Sequence, residues 1–68
     1  NPANDVLSVK GLKTNATLTL VDAQGKTIAT QAVEAGVATM NIDQVNAGVY
    51  FLHITSNNET SVQRVVVR

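Results

Sequence analysis

The sequence contains no cysteine and very few aromatic residues. Without cysteine, neither a disulfide framework nor a thiolate metal site can stabilise the fold. With one tyrosine, one phenylalanine and no tryptophan, the chain lacks the several coplanar rings on which sugars or single-stranded nucleic acid stack. The absence of cysteine fits both the cytosol and many exported bacterial proteins, so it does not identify the compartment.

Charge and long apolar runs are scarce as well. Five basic and five acidic residues give a formal net charge of zero, whereas binding to nucleic acid needs a concentrated basic surface. No apolar run approaches the roughly 18 residues that a membrane-spanning helix requires, and no signal-peptide pattern is visible. We therefore expect no nucleic-acid partner and no membrane-spanning segment, and any export signal is of another kind or lies outside this chain.

The length of 68 residues limits the chain to one domain, residues 1–68, with a single modest core. Its first residue is Asn1 rather than methionine, so we expect a fragment or a processed product. Because so small a core barely offsets the conformational entropy lost on folding, we expect marginal stability.

Apolar and polar residues alternate over short stretches separated by turn residues, which is typical of an all-β chain. The strand that begins at Gly48 is apolar on both faces, so we expect it at the centre of its sheet. Short links between the strands predict a small immunoglobulin-like antiparallel β-sandwich of six to seven short strands. The predicted strands are, in chain order, Asp5–Val9, Ala16–Asp22, Lys26–Glu34, Val37–Ile42, Gly48–Thr55 and Thr60–Arg68.

Turn chemistry supports several of these links. Asp22 and Gly25 fit a type I turn that is followed by a residue with positive φ. Asn57 and Asn58 tolerate positive φ and predict a tight hairpin. Lys10–Asn15 is predicted to be a polar connection between the first two strands.

The third predicted strand has one irregularity in its pattern. Ile28 and Val33 are its expected apolar contacts, but they lie an odd number of residues apart. Because successive side chains of a strand point to opposite faces, both can reach one face only if a bulge intervenes. The sequence therefore predicts a bulge in this strand.

His53 is the only histidine and the one candidate for a catalytic base. Ser8, Ser56, Ser61 and Asp43 are available as further members of a triad, but no stretch has the strained turn of a nucleophile elbow. An isolated histidine on a strand is usually a half-exposed structural residue. We therefore expect no catalytic residue in this domain.

The acidic residues are scattered, and no pair has the spacing of a calcium or transition-metal site. We accordingly expect no metal, no cofactor and no enzymatic activity. The residues concerned are Asp5, Asp22, Glu34, Asp43 and Glu59.

Four motifs occur in a fixed order along the chain: NPANDVLSV, VDAQGKTI, VNAGVYFLHI and SVQRVVVR. Their order, with a strand that runs to the last residue, resembles the C-terminal sorting domain of type IX secretion substrates (Por secretion system, type A) from Bacteroidetes. The resemblance covers nearly the whole chain. It departs from the family's Leu-x-x-Gly-x-Tyr pattern only by a conservative change, because Val45 stands in the leucine position.

The resemblance implies a delivery signal rather than a catalyst. Members of the family are tails of secreted proteins, including enzymes such as peptidases. These proteins enter the periplasm by an N-terminal signal peptide and cross the outer membrane through the type IX translocon. A cell-surface sortase then commonly removes the domain, by a cut upstream of Asn1, and attaches the cargo to anionic lipopolysaccharide. The implied partners are the translocon and the sortase, and the implied location is the cell surface or the medium.

The last strand is the predicted recognition surface. Arg64, Val66 and Arg68 share one of its faces, while Val65 and Val67 face the core. If this strand lies at a sheet edge, its free backbone groups can pair with a partner strand or with a second copy of the chain. The residues assigned to partner recognition are Gly48, Tyr50, Arg64, Val65, Val66, Val67 and Arg68.

An adhesion or spacer module of the immunoglobulin or fibronectin type is the alternative function. Such sandwiches accompany many secreted hydrolases, and fold alone does not determine function. The position of the chain in its full-length protein separates the two alternatives, because a sorting domain lies at the extreme C-terminus. Binding of the isolated domain to a glycan array would favour adhesion.

Overall fold

A computed structural model describes residues 2–3 and 6–68 of the chain. In these residues it contains seven strands and no helix, and hence no helix that could span a bilayer. The strands are β1 (Pro2–Ala3), β2 (Val6–Leu12), β3 (Ala16–Asp22), β4 (Thr27–Val33), β5 (Gly36–Asn41), β6 (Gly48–Ser56) and β7 (Glu59–Val67).

The strands form two sheets, one of five strands in the order β1-β7-β6-β3-β4 and one of two strands, β2 and β5. All pairs are antiparallel except β1 with β7, which is parallel. The order of the strands matches that of an immunoglobulin domain. In the larger sheet, β7, β6 and β3 correspond to strands G, F and C, and in the smaller sheet β2 and β5 correspond to strands B and E. The predicted immunoglobulin-like sandwich is confirmed, and β6 lies at the centre of the larger sheet, as its two apolar faces predict.

Asp22 ends β3 and builds the turn into β4. Its backbone carbonyl accepts a hydrogen bond from the Gly25 amide at 3.0 Å. Its carboxylate Oδ1 accepts the amides of Gln24 and Lys26, both at 2.9 Å. Gly25 has a φ of +87°, a conformation that costs a residue with a Cβ about 1–2 kcal/mol. The predicted type I turn with its positive-φ glycine is confirmed.

Asn57 and Asn58 connect β6 to β7 in a two-residue turn. Their φ angles of 50° and 65° are the left-handed values that a type I′ turn requires at both positions. The turn holds Ser56 opposite Glu59, and the same register continues along the whole hairpin to its far end. The predicted tight hairpin is confirmed.

The predicted connection Lys10–Asn15 is wrong in its first half, because β2 continues to Leu12. The register between β2 and β5 shifts between Val9 and Leu12, and Gly11 in this bulge has a φ of +76°. One extra residue changes the face to which the following side chain points, so Leu12 packs against the core. The predicted start of this strand at Asp5 lies outside the described residues.

The predicted bulge in β4 exists, but it does not bring Ile28 into the core. Leu20 of β3 lies opposite Ala29, but the next residue, Val21, lies opposite Thr27. Ile28 is therefore the extra residue of the bulge. Its side chain is 38% exposed, whereas Ala29 and Val33 pack against the core. The prediction of Ile28 as a core contact is wrong because the bulge lies at Ile28 rather than between Ile28 and Val33. The other strand bounds agree with the sequence prediction to within one residue.

The core fills the space between the two sheets. Burial alternates along β3, β5 and the first half of β6, so each contributes the side chains of one face. No polar or charged side chain is buried in the described part of the chain. The core cluster consists of Leu7, Val9, Leu18, Leu20, Ala38, Met40, Ile42, Tyr50, Leu52, Val65 and Val67.

Replacing Leu52 by alanine is expected to destabilise the domain by about 2–5 kcal/mol. Leu52 is fully buried at 0% exposure, and the structure around a deleted core side chain relaxes only partially, so that a cavity remains. Val62→Ala in the neighbouring strand β7 is the matched control, since Val62 is 55% exposed and its truncation should change stability by less than about 0.5 kcal/mol. Urea unfolding followed by circular dichroism measures both, and equal losses would contradict this division of inner and outer faces.

Candidate recognition site on the terminal strand

Strand β7 has two different faces because successive side chains alternate. Val65 and Val67 point into the sandwich, with exposures of 0% and 2%. Val66, between them, is half-buried on the outer face, and Arg64 and Arg68 are exposed. The predicted division of the strand into a core face and an outer face is confirmed.

Two residues of β6 complete the outer surface beside Arg64 and Val66. The cross-strand register places Phe51 opposite Arg64 and Val49 opposite Val66. Side chains that lie directly opposite each other on one face of a sheet are close neighbours. Phe51 is half-buried and Val49 is exposed. We name these four residues, Val49, Phe51, Arg64 and Val66, the C-terminal patch.

The outer face of the larger sheet around this patch is almost free of charge. Along β3, β4, β6 and β7 its side chains are threonine, valine, alanine, phenylalanine and histidine, with Ile28 exposed at the bulge of β4, and Arg64 alone carries a fixed charge. Hydroxyl pairs join neighbouring strands, Thr19 with Thr30 at 3.3 Å and Thr55 with Thr60 at 3.1 Å. A single guanidinium beside an aromatic ring on a neutral face is therefore the most distinctive feature of this surface.

Tyr50 fixes the loop that leads into β6. Its ring is buried, and its hydroxyl donates a hydrogen bond to the Asn46 carbonyl oxygen at 2.6 Å. A tyrosine hydroxyl bonded to backbone a few residues upstream is the tyrosine corner of immunoglobulin-like sandwiches. Gly48 lies beside the ring, where an added Cβ would stand 3.5 Å from Tyr50 Cε2, an ordinary van der Waals distance. Tyr50 and Gly48 thus shape the entry of the strand that carries half of the patch.

Three of the seven predicted recognition residues, Arg64, Val66 and Arg68, are accessible from outside the sandwich. The other four lie in the core or beside the tyrosine ring and support the strands from within. Sequence reasoning missed Val49 and Phe51, although a signal for them was present. The predicted asparagine turn already implies which residues of the two strands lie opposite each other. That register places Phe51 beside Arg64 and Val49 beside Val66.

The described residues do not assemble a catalytic triad. His53 is half-buried on the outer face of the larger sheet, whereas Ser8 belongs to the smaller sheet and Ser61 points to the inner side of β7. The hydroxyl of Ser56 donates to the Asn15 carbonyl oxygen at 3.2 Å. Each serine is therefore separated from the imidazole by a sheet or committed to a structural contact.

The carboxylates are dispersed as well. Among the described residues, no group of three or more histidine, aspartate or glutamate side chains could hold a metal ion. Asp22 is occupied by its turn, as the sequence predicts, while Asp43 lies in the turn after β5 and Glu34 in the link before it. Asp5 lies outside the described residues.

Only part of β7 has a neighbour on its outer edge. Strand β1 pairs with Val66 and Val67. From Glu59 to Arg64, the described residues place no strand on that side. Pairing with a partner strand requires that the terminal strand forms a sheet edge. Among the described residues, β7 forms such an edge over its first two thirds, Glu59–Arg64.

Comparison with protein families agrees with the order of the sequence motifs. The family described as the secretion system C-terminal sorting domain matches residues 1–68, the whole chain. The chain belongs to this family of type IX secretion sorting domains. No curated protein and no solved structure was found that matches it. As a type IX sorting domain it is a C-terminal secretion signal, and it marks a protein for export to the cell surface or the medium.

Replacing Tyr50 by phenylalanine is expected to lower the free energy of unfolding of the sorting domain by about 0.5–1.5 kcal/mol. The change removes only the hydroxyl that donates to the Asn46 carbonyl. Thr55→Val is the matched control, because it removes a hydroxyl that is paired on the exposed face and should change stability by less than about 0.5 kcal/mol. Chemical unfolding of the two variants under the same conditions tests this, and a Tyr50→Phe domain as stable as the wild type would contradict a structural role for the bond.

Proposed function

We propose that the type IX translocon reads the sorting domain on its outer surface, at the C-terminal patch and Arg68. The observation that carries this proposal is the position of Arg64, the one fixed charge that the residues of β3, β4, β6 and β7 present on the outer sheet face and a direct neighbour of Phe51, with Arg68 following just beyond the end of β7. The domain takes no part in catalysis. It directs its cargo from the periplasm across the outer membrane to the cell surface.

The chemistry of the patch suits a protein partner. A guanidinium presents a planar fork of donors that binds a carboxylate with two parallel hydrogen bonds. Arginine and aromatic residues are also enriched among the few residues that carry most of the binding energy of protein interfaces. Val49 and Val66, which lie opposite each other on β6 and β7, add apolar area beside the arginine.

The buried residues of the terminal strand have a supporting role in this proposal. Val65 and Val67 belong to the core cluster, and their burial orients Arg64 and Val66 outward because neighbouring side chains alternate. The signal is therefore a folded surface rather than a linear peptide. Removal of residues 65–68 would remove two core valines, so a truncation would test folding and recognition together.

A cell-surface sortase of the cysteine-protease kind then releases the domain. In this step the peptide bond upstream of Asn1 breaks, the domain leaves with a new amino terminus, and an acceptor on anionic lipopolysaccharide takes the acyl group of the cargo. The position of β1 supports a cut at that place. The first described pairing of the sandwich involves Pro2 and Ala3, so a cut upstream of Asn1 leaves every described strand in the released domain.

The recognition step is tested with residues 1–68 fused to a periplasmic reporter in a bacterium that has a type IX system. Arg64→Gln combined with Arg68→Gln should lower surface delivery about 30-fold or more, the factor in affinity that corresponds to the loss of one interface hot spot. Lys10→Gln combined with Lys26→Gln is the control, because it removes the same charge from exposed positions away from the patch. Whole-cell labelling of the reporter measures delivery, and unfolding curves verify that both variants fold.

Equal delivery by the two double variants would show that the patch is not the surface that is read. A wild-type fusion that stays in the periplasm would contradict the sorting function of this chain itself.

The release step is tested by the mass of the reporter at the cell surface. We expect a reporter that lacks the sorting domain in wild-type cells, and an uncut fusion in cells without the sortase. The released fragment should contain residues 1–68 in full, because the cut lies upstream of the first strand. A cut that falls within the sandwich would contradict the proposed order of recognition and release.

A further inference from the structure

The register of the larger sheet determines where each strand directs its backbone groups. Ser56 and Glu59 flank a two-residue turn and form a hydrogen-bonded pair, and such pairs alternate along an antiparallel ladder. His53 lies at an alternate position of β6, so its backbone groups point away from β7 and toward β3. There it lies opposite Thr19. Thr19 therefore uses its own backbone groups toward β6 rather than toward β4.

The free backbone groups of β4 belong to Thr30 and Ala32. Thr30 lies opposite Thr19, so this pair makes no backbone hydrogen bonds. The two hydroxyl oxygens lie 3.3 Å apart, as expected in the closer, non-hydrogen-bonded pairs of a ladder. Ala32, two residues further on, has the same orientation. Both residues direct their N–H and C=O groups away from β3, and the described part of the chain pairs no strand with β4 on that side.

This edge lacks most of the features that prevent the addition of a strand. Natural sheet edges are protected by charged side chains, prolines or bulges. Strand β4 reads TIATQAV, without a charge or a proline, and its bulge at Ile28 lies near its beginning. The segment Ala29–Val33 is thus a regular, uncharged edge. The edge of β7, in contrast, carries Glu59 and Arg64 and is partly covered by β1.

The charges at the two ends of this strand indicate which partner fits it. Lys26 directly precedes β4, and Glu34 directly follows it. When a second copy pairs with β4 in antiparallel, the beginning of each strand lies beside the end of the other, and each ammonium group meets a carboxylate. Parallel pairing would place like charges together, which is destabilising. The edge is therefore complementary to itself under a two-fold axis.

We propose that two copies of the chain associate through β4, in antiparallel, with Thr30 of each copy opposite Ala32 of the other. In this register both residues use their free groups, and each pair exchanges two N–H···O=C hydrogen bonds. Gln31 of the two copies lies at the two-fold axis. A register with Thr30 opposite its own equivalent would place Ala32 against the bulge at Ile28, where the ladder is interrupted.

The pairing goes beyond the proposed function and does not depend on it. The C-terminal patch lies on β6 and β7, which β3 separates from β4, so the patch is exposed in monomer and dimer alike. The two-fold axis is perpendicular to the sheet, and the two larger sheets therefore join with their outer faces on the same side. Six strand spacings of about 4.8 Å separate the two patches, a distance of roughly 29 Å.

Charge reversal at the ends of β4 tests the pairing in the chain of residues 1–68. Lys26→Glu or Glu34→Lys alone makes both contacts repulsive and should raise the dissociation constant of the dimer about 10-fold or more. Both changes in one chain exchange the charges and should restore the constant to within about 3-fold of the wild type. Sedimentation velocity from about 10 μM to about 1 mM, the range of weak interfaces, measures the association.

Matched variants separate the specific contact from the effect of net charge. Lys10→Glu changes the net charge as Lys26→Glu does, and Glu59→Lys changes it as Glu34→Lys does, at exposed positions outside β4. These two controls should leave the dissociation constant within about 3-fold of the wild type, because charges further apart than about 8 Å are largely screened at physiological ionic strength.

Proline substitutions identify the strand that forms the interface. Ala32→Pro removes an outward N–H without removing a bond to β3, and it should raise the dissociation constant about 10-fold or more. Thr60→Pro is the equivalent change at the edge of β7, because Thr60 directs its groups away from β6, and it should leave the constant within about 3-fold of the wild type. Unfolding curves verify that both variants fold, and the charge variants lie outside the strands and test the pairing without a change in the ladder.

A chain that stays monomeric up to about 1 mM would overturn the proposal. So would an exchange of the two charges that fails to restore the association lost in the single reversals. Loss of the dimer in Thr60→Pro but not in Ala32→Pro would assign the interface to β7 and contradict the pairing of β4. None of these measurements involves delivery to the cell surface, so a failure of the pairing is distinguishable from a failure of the recognition proposed for the patch.

Discussion

The pairing of β6 with β7 is the constraint on which the rest of the sorting domain depends. The two asparagines between these strands adopt positive φ, and the type I′ turn that they form holds Ser56 opposite Glu59. From this one pair the register continues to the end of the sheet. It decides that Val65 and Val67 enter the core and that Arg64 lies beside Phe51. A shift by one residue would turn the valines outward and bury the arginine.

Under the proposed function, the sandwich uses one face of the larger sheet for stability and the other for recognition. The inner face packs against β2 and β5 and contains no buried polar or charged side chain in the described residues. Among the strand residues of the outer face Arg64 alone carries a fixed charge, and Arg68 follows just beyond β7, so the fixed charge of this face lies near the end of the chain. Tyr50 belongs to the inner face, but its hydroxyl reaches the Asn46 carbonyl and orders the loop before β6. The terminal strand is thus both part of the core and the carrier of the outward side chains.

Sequence reasoning succeeded where a local interaction decides the structure. The turn at Asp22 and Gly25 depends on hydrogen bonds between residues only a few positions apart. Alternation of apolar and polar residues along β3 identifies its core side chains without knowledge of their partners. It failed where a bulge changed the phase of that alternation. Leu12 and Ile28 were misassigned because an extra residue in β2 or β4 is defined only against the partner strand. The patch was predicted in part, because Arg64 and Val66 were read from β7 alone while Phe51 and Val49 belong to its neighbour.

The sequence by itself determined the class of the fold, the strand order along the chain, the two hairpins within the larger sheet and, through its four ordered motifs, membership in the type IX sorting family. These properties follow from turn chemistry and side-chain periodicity, which act over a few residues. Only the tertiary structure decided which strands share a sheet, where the bulges lie and that β1 pairs in parallel with the last strand. The physical reason is that each of these depends on contacts between segments far apart in sequence, and no local pattern records the geometry with which they meet.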